Sequence, residues 1–236
     1  MRARRRCERY WLAGLRALAT LLLLASPGCD AGGGGAGVSG NDPAAAAQGA
    51  PASERPVVLF LGDSLSAGYG LAAEEAFPAL VQERIDAAGL DYRVVNAGVS
   101  GDTSAGGRRR IDWLLRQPIA VLVLELGAND MLRGQDLGAL RENLRAIVDK
   151  TRAAHPDVRI VIAGMRAPRN FGRAYVEGFE AIFRELAQET GAELIPFLLE
   201  GVAADPDLNQ ADGIHPTAAG HRIVADTVWR TLGPIL

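Results

Sequence analysis

Short apolar runs recur along the chain from residue 57 onwards. Five of them predict β-strands, at residues 57–61, 93–96, 120–126, 159–164 and 193–196. Val and Ile dominate most of these runs, and an apolar run without polar alternation is typical of a strand covered on both faces. The pattern therefore predicts a sheet that is buried between two other layers.

Apolar residues between these runs keep a spacing of three to four positions, which predicts helices. The clearest helical patterns lie at residues 137–148 and 176–186, and a last helix is expected after Pro216, a favourable first helical position. Strands that alternate with helices form a parallel sheet with helices on both faces, joined by right-handed crossovers. We therefore expect an α/β fold of three layers, α/β/α.

The first 28 residues have the pattern of an export signal. Five arginines lie within residues 2–9, and an apolar run follows at residues 18–25 that is too short to span a bilayer. A small residue precedes Cys29 just past that run, which resembles a bacterial lipoprotein processing site and makes Cys29 the candidate lipidation site. Ordinary signal cleavage, or twin-arginine export through Arg5 and Arg6, are the alternatives.

Three parts follow from these patterns: a signal peptide at residues 1–28, a disordered Gly/Ala-rich tether at 29–55 and one folded domain at 56–236. The tether offers little apolar surface for burial, whereas the remaining length is enough for one sizeable core. Of the two cysteines, Cys7 would be lost with the signal, which leaves no intrachain disulfide. We expect an exported protein of the periplasm or cell envelope, held at the membrane through a lipid on Cys29.

Charge excludes one class of partner. The whole chain has a net charge of −3, but the first 28 residues hold six arginines and one glutamate, so the remainder carries −8. An acidic body without basic clusters argues against nucleic acid as a partner. No pattern in the sequence indicates an oligomeric state.

Four short polar blocks are placed where the predicted strands end. Ser64 follows the first strand, Gly98 the second and Asn129 the third, and His215 lies between the fifth strand and the last helix. The carboxyl ends of parallel strands meet at one edge of a sheet, where ligands bind. We therefore expect these four residues to lie close together.

Their chemistry is that of acyl transfer through a serine nucleophile. Ser64 stands at a strand-to-helix junction, and His215 is the best candidate base among three histidines. Asp212, three residues earlier, can accept a hydrogen bond from one ring nitrogen and leave the other to face Ser64. Gly98 allows close backbone approach and Asn129 offers an amide N–H, which are donors suited to an oxyanion.

Three of these residues also have a structural interpretation when each is taken alone. Ser64 could be a helix N-cap, Gly98 could be a turn glycine, and Asn129 could bond its own loop backbone. Ser66, in the same block as Ser64, is interpreted as a capping or packing residue, and Asp130 beside Asn129 as a structural hydrogen-bond acceptor.

The blocks resemble the SGNH (GDSL) hydrolase superfamily, and within it the bacterial thioesterase I, lysophospholipase and arylesterase group. The stretches that carry the resemblance are residues 61–69, 100–103, 125–127, 132–134, 167–173 and 212–216. It extends from about Val57 to the C-terminus. One departure is Ala128, where the group commonly has glycine.

The resemblance implies a flavodoxin-like fold with a five-stranded parallel sheet, and a role for each block. Ser64 is the nucleophile, His215 the general base and then acid, and Asp212 the residue that orients His215. The oxyanion hole consists of the N–H groups of Ser64 and Gly98 and the side chain of Asn129. The substrates implied are small-molecule or lipid esters, namely aryl esters, acyl thioesters and lysophospholipids.

The resemblance implies no cofactor, and no metal ion is expected. Asp212, His215 and His221 could suggest a metal site, but no fourth ligand is apparent. Two other functions stay open at this stage. One is an acetyl esterase of cell-envelope polysaccharide, and the other is a binding module for acyl lipids that performs no turnover.

Overall fold

A computed structural model describes residues 55–236 of the 236-residue chain. The predicted signal peptide, the candidate lipidation site Cys29 and all of the predicted tether except Arg55 lie outside the described residues. Within the described range, no helix has the length and apolarity needed to cross a bilayer.

All five predicted strands are present, each within two residues of the expected bounds. They are β1 Val57–Gly62, β2 Arg93–Gly98, β3 Ile119–Glu125, β4 Arg159–Ala163 and β5 Glu193–Ile195. Every neighbouring pair is parallel, in the spatial order β2-β1-β3-β4-β5. From β1 the chain therefore adds β2 on one side of the sheet. It then returns to the other side of β1 and adds β3, β4 and β5 in turn. This reversal places a crevice at the carboxyl ends of β1 and β3, where open α/β sheets bind ligands.

Seven α-helices connect and cover the strands within residues 55–236. They are α1 Ser64–Ala67, α2 Phe77–Ala87, α3 Ser104–Leu114, α4 Ala128–Leu132, α5 Leu137–Ala154, α6 Arg173–Thr190 and α7 Ala218–Leu232. Helix α2 packs against α7, while α3 packs against α5 and α5 against α6. Right-handed crossovers put these two groups on opposite faces of the sheet. The predicted three-layer α/β/α fold is confirmed.

The core consists of the strands and the helix faces turned towards them. All six residues of β1 are buried. The largest buried side chains include four phenylalanines, each at most 2% exposed: Phe60, Phe77, Phe179 and Phe183. The two predicted long helices bury the apolar positions that the 3.6-residue spacing indicated, with the exception of half-exposed residues at their ends.

The start of α7 differs from the expectation. Thr217 is the N-cap, its side chain accepts from the Gly220 N–H, and the first helical residue is Ala218. Pro216 therefore precedes the cap and is not the first residue of the helix. It forms an antiparallel bridge with Asn209, which fixes the loop before α7.

One arginine on α3 holds the carboxyl ends of two strands. The Arg110 guanidinium donates to the carbonyl oxygens of Gly62 at 2.9 Å and Ala97 at 2.6 Å, and to Asp102 Oδ2 at 2.7 Å. Charge-assisted bonds of this kind are stronger than neutral ones. The ends of β1 and β2, and the turn that follows β2, are thus kept at a fixed spacing beside the crevice.

Candidate active site

Ser64 is the first residue of α1, directly after β1. Asp63 is the N-cap of this helix, since its Oδ1 accepts the Leu65 N–H at 3.0 Å. The capping interpretation of Ser64 is therefore wrong, and the Ser64 hydroxyl is free to bond elsewhere. The Ser64 N–H has no acceptor within residues 55–236, as expected for the first N–H of a helix.

The imidazole of His215 reaches the Ser64 hydroxyl. His215 Nε2 lies 2.9 Å from Ser64 Oγ, although the two residues are 151 positions apart in sequence. The Tyr69 ring packs against the imidazole, with ring centroids 4.5 Å apart. The 2.9 Å between His215 Nε2 and Ser64 Oγ is a distance at which a general base can take a proton from a hydroxyl.

Asp212 holds the other side of the imidazole. Its Oδ2 lies 2.6 Å from His215 Nδ1, and its Oδ1 accepts the N–H groups of Ile214 at 2.9 Å and His215 at 3.0 Å. The bond with the His215 side chain, followed by these backbone bonds, lowers the pKa of Asp212 to about 2. A permanent carboxylate at this position keeps the proton on Nδ1 and leaves Nε2 to accept from Ser64.

Asn129 enters the same crevice from the neighbouring strand. It is the second residue of α4, which follows β3, and it lines the cavity together with Ser64 and Ala128. Its Nδ2 donates to Asp63 Oδ2 at 3.0 Å. One of its two amide hydrogens is thereby used, and the other is available to a ligand in the cavity.

The structure does not bring Gly98 to the cavity. Its N–H donates to Asn96 Oδ1 at 3.0 Å, and an added Cβ would overlap the backbone of Ala67. Gly98 is required because α1 packs directly on the end of β2, which is a structural reason for the glycine.

Gly101 occupies the place that was expected for Gly98. It lines the cavity with Ser64 and Asn129, and its N–H has no acceptor within the described part of the chain. Its φ of +79° is in the left-handed region that favours glycine. The sequence reasoning missed this residue, although the stretch at 100–103 that contributed to the resemblance contains it.

A buried carboxyl group lies beneath the crevice and was also missed. Glu125 ends β3 with no exposed surface, and its Oε2 accepts from the N–H groups of Asp63 at 3.1 Å and Ser66 at 3.2 Å and from Ser66 Oγ at 2.7 Å. Its Oε1 has no hydrogen-bond partner among the described residues. Burial, and then the charge of Asp63, raise the pKa of Glu125 well above its usual value. Burial of Glu125 therefore favours its protonated form.

Asp63 has the lower pKa of this pair. Burial raises the pKa of Asp63 to about 6, and the bonds from the Leu65 N–H and the Asn129 amide oppose that rise. At neutral pH Asp63 is thus ionised. Ser66 is held by Glu125, which agrees with its interpretation as a packing residue.

The remaining polar residues singled out in the sequence have structural partners. Asp130 accepts from the N–H and hydroxyl of Ser104, as a structural acceptor would. His221 is buried in α7, and its Nδ1 accepts the Phe77 N–H at 3.0 Å. Within residues 55–236 no three His, Cys, Asp or Glu side chains come together as a group that could hold a metal ion.

The cavity that opens beside Ser64 is apolar. Its volume is about 340 Å³. Its lining includes the apolar side chains of Leu65, Met131, Met165, Phe197 and Leu199. Three of the exposed large apolar residues, Tyr69, Leu132 and Ile214, stand at its mouth. Such a cavity matches an aliphatic or aromatic acyl group rather than a polar one.

Comparison with known proteins decides the family. The model of the GDSL-like lipase/acylhydrolase family matches residues 60–223, most of the chain. The chain belongs to this family. The membership confirms the predicted SGNH (GDSL) relationship and the predicted class of ester hydrolase.

Individual relatives of this GDSL-like hydrolase cover nearly the whole described domain. It is 42% identical to the esterase TesA of Pseudomonas aeruginosa over 180 residues, covering 76% of this chain and 89% of that protein. It is 41% identical to thioesterase 1/protease 1/lysophospholipase L1 of Escherichia coli strain K12 over 187 residues, covering 78% and 87%. The solved structure of AlinE4, an SGNH-hydrolase family esterase, matches with a TM-score of 0.64 at 40% identity, covering 78% of this chain and 97% of that one.

Proposed function

We propose that this GDSL-like hydrolase cleaves carboxylic esters and thioesters through an acyl-enzyme on Ser64. The observation that carries the proposal is the continuous chain of contacts from Asp212 through His215 to the Ser64 hydroxyl, at 2.6 Å and 2.9 Å. A nucleophile, a base within hydrogen-bond distance and a third group that orients the base are the requirements of such catalysis.

The first half of the reaction transfers the acyl group to the enzyme. His215 Nε2 takes the Ser64 proton as Oγ bonds to the substrate carbonyl carbon, which gives a tetrahedral oxyanion. His215 then passes that proton to the departing alcohol or thiol, and the bond from carbon to the leaving group breaks. In the second half, water attacks the acyl carbonyl carbon as His215 takes its proton. His215 then returns that proton to Ser64 Oγ as the bond from Oγ to carbon breaks, which releases the carboxylic acid and restores the free enzyme.

Three donors stabilise the oxyanion. They are the Ser64 N–H, the second amide hydrogen of Asn129 and the Gly101 N–H, which takes the role first assigned to Gly98. The first and last have no acceptor within the described residues, so they need not break an existing bond to bind the oxyanion. Loss of one such donor typically costs about 3–4 kcal/mol of transition-state stabilisation.

The substrate class is a proposal that rests on the apolar cavity and on the relatives. The cavity accommodates an apolar acyl chain, and two relatives have the names esterase and thioesterase 1/protease 1/lysophospholipase L1. We therefore expect aryl esters, acyl thioesters and lysophospholipids to be hydrolysed. An acetyl esterase of polysaccharide would instead present polar groups to a sugar.

Covalent labelling tests the nucleophile. The wild-type protein is incubated with a fluorophosphonate and its intact mass is measured, beside Ser64→Ala and the matched control Ser66→Ala. We expect a single adduct in the wild type and in Ser66→Ala, and none in Ser64→Ala. An adduct that persists in Ser64→Ala would place the nucleophile elsewhere, and no adduct in any protein would support a binding module without turnover.

A substrate panel tests the specificity. Initial rates are compared for aryl esters of two to twelve carbons, an acyl thioester, a long-chain lysophospholipid and an acetylated glycan. We expect the highest kcat/KM on apolar acyl chains. A preference for the acetylated glycan would favour the polysaccharide acetyl esterase.

A further inference from the structure

The amide of Asn129 can serve an oxyanion only in one of its two orientations. With the NH₂ group towards the cavity it donates, but after a rotation of 180° it presents a carbonyl oxygen, which repels the developing negative charge. The usefulness of Asn129 therefore depends on a neighbour that distinguishes nitrogen from oxygen.

Asp63 is that neighbour. Its Oδ2 lies 3.0 Å from Asn129 Nδ2, and it is only 1% exposed, so water does not compete strongly for the bond. An ionised carboxylate accepts hydrogen bonds and donates none, so it pairs with the nitrogen of an amide and not with the oxygen. The second hydrogen on the same nitrogen then points away from Asp63.

We infer that Asp63 is a positioning residue for catalysis: its carboxylate fixes the Asn129 amide with an N–H towards the oxyanion. The inference rests on the function proposed above. It gives Asp63 two separate tasks, since Oδ1 caps α1 through the Leu65 N–H and Oδ2 orients Asn129.

Both tasks act on the same reaction centre. The cap fixes the helix that begins with Ser64, and the second bond fixes the amide that would bind the oxyanion. Because Asp63 follows β1 and Asn129 follows β3, one carboxylate links the ends of two adjacent strands. Nucleophile and oxyanion donor are thereby held relative to each other.

The surroundings keep Asp63 in the form that this task needs. Glu125 approaches from β3 and accepts the Asp63 N–H, which holds the backbone of the cap. Burial favours the protonated form of Glu125, whereas the bonds from the Leu65 N–H and the Asn129 amide, and the nearby His215, favour the ionised form of Asp63. An acceptor-only group therefore faces Asn129 at neutral pH.

The alternative is that Asp63 is a helix cap and nothing more. A cap needs only one oxygen, and serine provides it. Asp63→Ser therefore keeps an acceptor for the Leu65 N–H and removes the acceptor for Asn129, which separates the two tasks.

A double-mutant cycle in kcat/KM on an aryl ester tests the inference. We expect Asn129→Ala to lower kcat/KM about 100- to 1000-fold, and Asp63→Ser to lower it about 10- to 100-fold, through kcat with KM unchanged. In the Asn129→Ala background, Asp63→Ser should cost no more than about twofold, because the residue through which it acts is gone. An equal cost in both backgrounds would overturn the inference.

Asp130→Asn is the matched control. Asp130 is as buried as Asp63 and adjacent to Asn129 in sequence, but it bonds Ser104. Its substitution removes a buried carboxylate without touching the Asn129 amide, so its effect on kcat/KM should be the same factor in both backgrounds.

Side-chain amide NMR tests the same contact without any change at Asp63. In ¹⁵N-labelled protein, the Asn129 amide is assigned by its absence from Asn129→Ala. We expect one of its two hydrogens far downfield, as for a hydrogen bond to a carboxylate. Two ordinary amide shifts would overturn the inference even if Asp63→Ser does not fold. Failure of Asn129→Ala to lower kcat/KM would contradict the proposed function instead.

Discussion

The two serines of one short block show how much a residue's neighbours decide its chemistry. Ser64 bonds His215, whereas Ser66, two positions later, donates to buried Glu125. The sequence predicted which serine faces the crevice because the strand ends just before Ser64. It did not predict the buried carboxyl group beneath, since the raised pKa of Glu125 depends on complete burial.

Gly98, the last residue of β2, and Gly101, in the turn that follows, should respond differently to replacement by alanine. Gly98→Ala inserts a Cβ against the backbone of Ala67 and should lower the free energy of unfolding by about 2 kcal/mol or more. Gly101→Ala meets only Arg133 Nη2, at 3.5 Å, but strains a φ of +79° and so should move the N–H that faces the cavity. We expect Gly101→Ala to fold and to lose mainly kcat, measured beside urea unfolding. Equal loss of kcat in a well-folded Gly98→Ala would return the oxyanion role to Gly98.

Glu125 should tolerate replacement by an uncharged amide but not the loss of its oxygen atoms. Because burial favours its protonated form and Glu125→Gln preserves the acceptor for Ser66 and the Asp63 N–H, we expect kcat/KM within about threefold of wild type. Glu125→Ala leaves these buried donors unpaired and should cost about 2–4 kcal/mol in unfolding free energy. Urea unfolding and kcat/KM at pH 7.5 measure both. A Gln variant as damaged as the Ala variant would mean that Glu125 is ionised.

The misassigned glycine marks the limit of prediction at this scale. The sequence placed Ser64 and Asn129 just after strands and His215 in the loop before the last helix, and the structure brings all three to one cavity. Which backbone N–H points into that cavity depends on the turn after β2, where φ becomes positive only at Gly101. A strand-end rule cannot resolve a difference of three residues within such a turn.

Among the elements, α2 depends on α7 for its N-terminus. Its N-cap residue Ala76 has no side-chain acceptor, and the Phe77 N–H is accepted instead by His221. Burial lowers the pKa of His221 to about 4, against a smaller opposing effect of Glu75. The sequence did not indicate this role for His221, because its partner Phe77 is 144 positions away.

This contact makes acid destabilise the pairing of the two helices. Below pH 6.5 the unfolded chain protonates His221, but the folded protein does not until about pH 4, so the folded state loses relative stability across that window. In His221→Gln an amide oxygen can accept the Phe77 N–H without titrating. We expect the stability of wild type relative to His221→Gln to fall by on the order of 2 kcal/mol between pH 7 and pH 4. Urea unfolding across this range measures it, and a constant difference would contradict the assignment.

For the molecule as a whole, alternation of strands and helices was enough to predict the layers and the direction of the sheet. Apolar residues dominate β1, β3 and β4, so the positions of these strands depend little on local sequence detail. The substrate is different, because the cavity wall combines side chains from α4 and from the loops that follow β4 and β5. Their relative positions are set by tertiary packing, and the acyl preference therefore needs the substrate panel.

Export and lipidation remain proposals for the full-length chain. We expect expression in a Gram-negative host to give a membrane-bound protein that incorporates labelled palmitate, and Cys29→Ser to abolish the label. Cys7→Ser is the matched control, since it lies within the predicted signal and should keep the label. A soluble, unlabelled wild-type protein in the periplasm would support ordinary signal cleavage.

The direction of β1 has a practical consequence. This strand enters the sheet at Val57 and delivers Ser64 just beyond its far end, and six residues of strand span about 20 Å. A bead or carrier protein coupled directly at Arg55 would therefore be attached at the opposite edge of the sheet from the catalytic crevice. Coupling at this residue should leave the crevice open to bulk solvent, which makes it the better choice for immobilising the enzyme.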